Sequence, residues 1–223
     1  MLFTGSEGCT HNTNGEDIAM VMKSKSLSGS NGNLEKAALF MTSMRLVVAA
    51  AAVSVVFGVI LGTGVGGGIV VNGKVLAGAN RIAGEWGHNR LPGDESFWPE
   101  CYCGRRGCIE TFLSGPGLAR DHERDAGLRM EPTEIAELAA QGNSACEATL
   151  HRYEERLARA LGQVINILDP DAIVLGGGLS NLARLYGNVP KLWAPYIFTD
   201  RVGTRFLKNR HGDSSGVRGA AWL

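Results

Sequence analysis

Gly84-Glu85-Trp86-Gly87-His88, followed by Cys101-Tyr102-Cys103-Gly104-Arg105-Arg106-Gly107-Cys108-Ile109-Glu110, carries the densest chemistry in this 223-residue chain. One imidazole and three thiols fall between positions 88 and 108. Zn²⁺ binds thiolates at about 2.3 Å and imidazole nitrogen at about 2.0–2.1 Å in a tetrahedron. Gly104 and Gly107 let the backbone turn tightly enough for three sulfurs to converge on one point. The expected outcome is a closed zinc site made by His88, Cys101, Cys103 and Cys108. Disulfide bonding is the plainer alternative, but Cys101 and Cys103 are too close to pair comfortably and three cysteines leave one over. Cys9 and Cys146 stand apart and read as ordinary thiols.

Glu85 and Glu110 bracket the same loop. Metal ligation engages one imidazole nitrogen and leaves the other for a further partner. Carboxylates beside that nitrogen are acceptors of the kind that grip sugar hydroxyls, although two glutamates near such a loop, taken alone, more often support the metal ligands or are solvated charges.

Upstream, Val55 to Leu61 is a short apolar run rich in β-branched residues, broken by Gly62-Thr63-Gly64-Val65-Gly66-Gly67-Gly68 before a second run, Ile69 to Val71. That pattern predicts a hairpin. Its glycines let backbone N–H groups approach an anion, and the Thr63 hydroxyl adds a donor. Asn72-Gly73 supplies a two-residue turn before Lys74. Further on, Leu150, Leu157, Leu161, Val164, Ile165 and Leu168 recur at helical spacing, so Ser144 to Leu168 reads as one amphipathic helix stopped by Asp169-Pro170. Its Arg152, Glu154, Glu155, Arg156 and Arg159 read as a solvated face with local ion pairs. Ala172 to Leu175 then forms a buried-strand pattern that breaks into Gly176-Gly177-Gly178 and a possible helix.

Together, Gly84 to His88, Cys101 to Glu110, Leu61-Gly62-Thr63-Gly64 and Leu175-Gly176-Gly177-Gly178 resemble the ROK family of sugar kinases and sugar-responsive repressors. Asn166 to Asp171 and the ending His211 to Trp222 are most similar to its bacterial fructokinase branch. The resemblance runs from about Val55 to Leu223. It implies an α/β fold of the actin-like ATPase (ribonuclease H-like) type, mainly the C-terminal lobe, with phosphoryl transfer from ATP to a hexose. By the same resemblance Glu85, His88 and Glu110 bind the sugar, fructose in the first instance. Gly62, Thr63, Gly64, Gly176, Gly177 and Gly178 surround the ATP, Mg²⁺ accompanies it, and the protein is a homodimer.

Residues 1–54 do not continue the likeness. Met1 to Leu34 is rich in Ser, Gly and Asn and reads as loop or disorder. The family's Asp-x-Gly-Gly-Thr turn and its Asn-Asp-Ala-Asn segment, which holds the aspartate that deprotonates the sugar hydroxyl, have no counterpart here. No residue is therefore assigned as the catalytic base. The expectation is a truncated kinase of weak or no activity, with two alternatives: a ROK repressor, which would need a helix-turn-helix, and a catalytically dead zinc-binding fragment.

Basic and acidic residues balance at 22 each, so the counterion-release term that drives nucleic-acid affinity has no evident source. Leu46 to Gly73 carries no charge and is long enough for a membrane helix, but its glycines and Asn72-Gly73 argue against one. Cysteines used as zinc thiolates fit a cytoplasmic protein.

Overall fold

The computed structural model describes residues 53–209. Readings of the N-terminal segment up to residue 52 and of the His211 to Trp222 ending lie outside them. Strand β1 (Val55–Leu61) pairs antiparallel with β2 (Val65–Val71), which pairs antiparallel with β3 (Lys74–Val75). Strand β4 (Ala172–Gly176) lies parallel to β1, and β5 (Arg205–Lys208) parallel to β4. The order β3-β2-β1-β4-β5, with β2 alone running against the rest, is that of the actin-like ATPase fold. Asn72 and Gly73 both take positive φ in the β2–β3 turn, as a two-residue hairpin loop requires.

The expected hairpin is present, but its glycines divide into two groups. Gly62 and Gly64 are in the turn, whereas Gly66, Gly67 and Gly68 lie in β2. A Cβ on Gly67 would sit 2.9 Å from the Gly84 carbonyl and from Trp86, and one on Gly84 would sit 2.6 Å from the Gly68 α-carbon. A Cβ on Gly87 would overlap the Val65 carbonyl oxygen. Gly67 therefore admits a neighbouring backbone, whereas Gly66 has open space beside it.

Between β3 and β4 come α1 (Ile109–Leu113), α2 (Gly115–Ala126), α3 (Pro132–Ala140) and α4 (Ser144–Leu168), and α5 (Arg184–Leu192) follows β4. Helix α4 has the predicted bounds. Asn143 caps it by accepting from Ala145 N and Cys146 N at 3.1 and 3.0 Å, and Asp169 ends it in the left-handed conformation before Pro170. Its Cys146, Leu150, Tyr153, Leu157, Leu161 and Ile165 share one buried cluster with Phe57, Val59 and Leu61 of β1 and Ile173 and Leu175 of β4. Val56, Val70, Ala172 and Val174 form a second cluster on the opposite sheet face, which is why β1 and β4 read as unbroken apolar runs. Among the described residues no helix is long and apolar enough to cross a membrane.

The charged face of α4 departs from expectation. Arg152 and Glu155 are partly exposed, but Glu154, Arg156 and Arg159 are buried. Arg156 grips Glu95 with Nε at 3.1 Å and Nη2 at 2.8 Å and reaches Asp121 at 2.8 Å; Arg159 also pairs with Glu95. Arg184 of α5 and Asn188 satisfy Glu154. These partners come from segments remote in sequence, so a single helix cannot announce them. Burial alone would raise the Glu95 and Asp121 carboxyls, but bonds and charges from Arg156, with Arg159 on Glu95 and Arg152 on Asp121, hold both below their ordinary values.

Because both folded-state values are depressed, the stabilisation is complete above the ordinary values of 4.5 and 3.8 and is lost as pH falls through the folded ones. Glu95→Gln should cost roughly 3 kcal/mol at pH 7, since it leaves buried guanidinium charge uncompensated. The variant should also lose less further stability than wild type below about pH 4.5. Urea melts at pH 7 and pH 4 check both, and parallel pH profiles would contradict the assignment.

Candidate functional site

Strand β2 receives the Gly84 to His88 segment on its glycine surface, and Trp86 locks it there. The indole meets Phe57 edge to face at 5.6 Å between centroids, and its Nε1 donates to the Gly66 carbonyl at 3.0 Å. A 3₁₀ turn over Trp86–His88 then delivers the imidazole. The chain just after His88 is pinned from the cysteine side, because Ile109 N donates to Asn89 O at 2.8 Å and Leu91 N to Gly107 O at 2.8 Å. Gly104 and Gly107 take positive φ, as the turn between the cysteines needs.

This fold brings the four predicted metal donors together. The ligand atoms of His88, Cys101, Cys103 and Cys108 all lie within 4.8 Å of one another. Cys101 Sγ is 3.6 Å from His88 Nδ1, and Cys103 Sγ is 3.6 Å from Cys108 Sγ. Around a tetrahedral Zn²⁺ with bonds of about 2.3 Å, ligand sulfurs stand about 3.8 Å apart, so the donors fit that cation. Burial, then the neighbouring thiols, pushes Cys108 up to about 12 and raises Cys101, whereas a backbone bond from Arg105 lowers Cys103. Such a trio ionises together only around a positive centre.

His88 Nδ1 faces the sulfurs, and the other ring nitrogen, Nε2, has a further partner in the Tyr102 hydroxyl at 2.9 Å. Tyr102 is 77 % exposed. Burial of the phenol oxygen, then the charges of Glu110, Cys101 and Glu85, raises its pKa. Sequence reasoning missed this residue; its place between two ligand cysteines was the available signal.

Glu110 opens α1 and does more than flank the cysteines. Its Oε2 accepts from Val65 N at 2.9 Å, directly after the Gly62-Thr63-Gly64 turn, and Gly115 N donates to Gly62 O at 2.7 Å. The second glycine run lies alongside. Parallel pairing sets Ile60 opposite Gly176, and Gly177, at φ 82°, sits so close to Leu61 that a Cβ would overlap its carbonyl. Gly178 is open to space and Thr63 is exposed. After Gly177 the chain makes a 3₁₀ turn, Gly178–Asn181, rather than the expected helix, because the Ser180 backbone and hydroxyl both return to the Gly177 carbonyl, at 3.0 and 2.6 Å. Both glycine turns thus meet at the carboxyl ends of β1 and β4, the usual ligand crevice of an α/β sheet. Every predicted site residue lies around this turn or the adjoining cysteine loop.

The ROK family matches residues 10–223. The chain is 41 % identical over 175 residues to N-acetyl-D-glucosamine kinase of Vibrio atlanticus (strain LGP32), covering 75 % of this chain and 58 % of that relative. It thus spans less than two thirds of that relative's length. Among solved structures, a ROK family glucokinase from Streptomyces griseus in complex with glucose and AMPPNP superposes with a TM-score of 0.73 at 26 % identity, covering 84 % of this chain and 66 % of the other. A ROK family transcriptional regulator, a homolog of the E. coli MLC protein, shares the fold with a TM-score of 0.68 at 23 % identity, over 82 % of this chain and 48 % of its own. Sheet order, metal-donor cluster and this family match agree, and the chain belongs to the ROK family.

Proposed function

We propose that this chain forms the sugar- and nucleotide-binding lobe of an ATP-dependent hexose kinase. The observation that carries this reading is the bond from Val65 N, directly after the Gly62–Gly64 turn, to Glu110, which ties a candidate sugar ligand to the end of a candidate phosphate loop. Glu85, His88 and Glu110 bind sugar hydroxyls. Within the Gly62–Gly64 turn the Thr63 and Gly64 amides serve the phosphates, because Gly62 N already donates to Gly64 O at 3.0 Å; Gly176–Gly178 lies against the rest of the nucleotide, and Mg²⁺ accompanies it. The relatives above are named for N-acetyl-D-glucosamine and glucose, and these replace fructose as the favoured substrates. Self-association as a homodimer in a reducing compartment belongs to the same proposal.

Zinc held by His88, Cys101, Cys103 and Cys108 supplies structural order. With Nδ1 turned to the metal donors, the imidazole keeps one orientation, and Nε2, beside the Tyr102 hydroxyl, is the nitrogen available to a sugar hydroxyl. Tyr102 must leave Nε2 when a sugar hydroxyl takes its place.

Protein purified without chelator should contain one zinc per chain by elemental analysis. Cys103→Ser should lose the metal and lower the melting temperature by more than the ~2–4 °C that one kcal/mol is worth in a chain of this size. Metal-free wild-type protein would remove zinc from the proposal.

In an ADP-release assay with ATP and Mg²⁺, N-acetylglucosamine and glucose should support more turnover than fructose. No residue among those described is assigned as the base, and turnover roughly 10²–10⁴-fold below the usual ~1–100 s⁻¹ is the expected outcome. Turnover within that usual range would show that another residue serves as base, and absence of both turnover and calorimetric sugar binding would sink the kinase reading.

A further inference from the structure

The Gly62–Gly64 turn is held from outside by two hydrogen bonds, from Gly115 N to Gly62 O at 2.7 Å and from Val65 N to Glu110 Oε2 at 2.9 Å. Both come from the segment that begins at Glu110. That segment is a firm base: Ile109, Thr111, Phe112 and Leu113 are buried, and the Thr111 hydroxyl donates to Cys108 O at 2.7 Å. Gly64 has no Cβ to push the carboxylate away; one added there would sit 2.7 Å from Oε2. Among the described residues nothing bonds the other oxygen, Oε1.

We propose that Glu110 is a positioning residue shared by the two substrates, with Oε2 anchoring the phosphate turn and Oε1 taking a sugar hydroxyl, so that each ligand tightens the binding of the other. The inference rests on the kinase reading and adds a coupling to it. A carboxylate joined to Val65 N loses rotamer freedom once, and the second bond then forms on an oriented group. Sugar on Oε1 holds Oε2 in place, which keeps the turn amides arranged for phosphate. Reciprocity follows from linkage: the factor by which sugar improves nucleotide affinity equals the factor by which nucleotide improves sugar affinity.

Amide exchange of Val65, followed by NMR in the full chain, tests the anchor without any ligand. Glu110→Ala should speed it roughly tenfold or more by removing the acceptor. Glu110→Gln, whose amide oxygen can still accept, should stay near wild type. Equal exchange in wild type and Glu110→Ala would overturn the anchor. Calorimetry of MgADP with and without saturating N-acetylglucosamine tests the coupling. Wild type should bind MgADP about fivefold or more tighter when sugar is present, the low end of ordinary coupling, and Glu110→Ala should abolish that gain.

Gly64→Ala provides the second variant, because Gly64 lies outside the left-handed region and accepts a Cβ there without backbone strain. By displacing Oε2 it should weaken sugar binding severalfold from a position outside the proposed sugar ligands and remove the coupling. Wild-type protein that binds both ligands with independent affinities overturns the coupling while leaving the kinase reading intact. Wild-type protein that binds neither sinks the kinase reading and the coupling together, and the Val65 exchange rate still decides the anchor.

Discussion

Backbone-to-backbone contact between β2 and the Gly84 to His88 segment is the constraint on which the site depends. Gly67, Gly84 and Gly87 are each placed so that a single methyl group would collide with main-chain atoms across the contact. Such an approach leaves no side-chain layer to adjust, so the position of His88 is set by the sheet itself. From there the order passes outward: His88 is tied to the cysteine turn through Asn89 and Ile109, and the cysteine turn runs directly into α1 and Glu110. Glu110 returns to the first residue of β2. Sheet, metal loop and glycine turn therefore form one closed circuit of contacts.

Much of this was legible because it was local. A β-branched run ending in glycine, a helix with regular apolar spacing stopped by Asp-Pro, and four donors in one loop each carry their signal within a few dozen residues. What escaped was relational. Gly67 looked like part of an anion loop because composition does not tell a turn glycine from one pressed against a neighbouring stretch of backbone. Tyr102 was assigned no role, and its meeting with His88 Nε2 depends on how the cysteine turn folds back. Arg156 and Glu154 carried the ordinary signature of a wet helix face; their partners at Glu95, Asp121 and Arg184 are brought by other elements.

That buried polar layer has its own structural logic. The stretch between His88 and Cys101 contains no helix or strand of its own after the 3₁₀ turn at its start. It is fastened instead by Arg156 and Arg159 on Glu95 and by Arg159 Nη1 on the Pro92 carbonyl at 2.9 Å. Apolar packing alone tolerates sliding, whereas a bidentate guanidinium accepts one geometry. The loop that carries Cys101 is thereby registered against α4, the longest helix of the described chain.

The pairing of β1 with β4 also sets the order in which the chain can assemble. Asp171, at the foot of β4, accepts hydrogen bonds from Ser54 N at 2.8 Å and Val55 N at 2.7 Å, across 117 and 116 residues. During synthesis, β1 and β2 leave the ribosome as a hairpin, while the strand that closes the other edge of β1 emerges only after all of α1 to α4. Contacts this distant form late, because loop closure precedes their reward. Until then β1 presents an apolar strand with one open edge, the form of backbone most ready to pair with a wrong partner. Yield of soluble protein is thus governed by translation speed and chaperone access as much as by the stability of the finished fold.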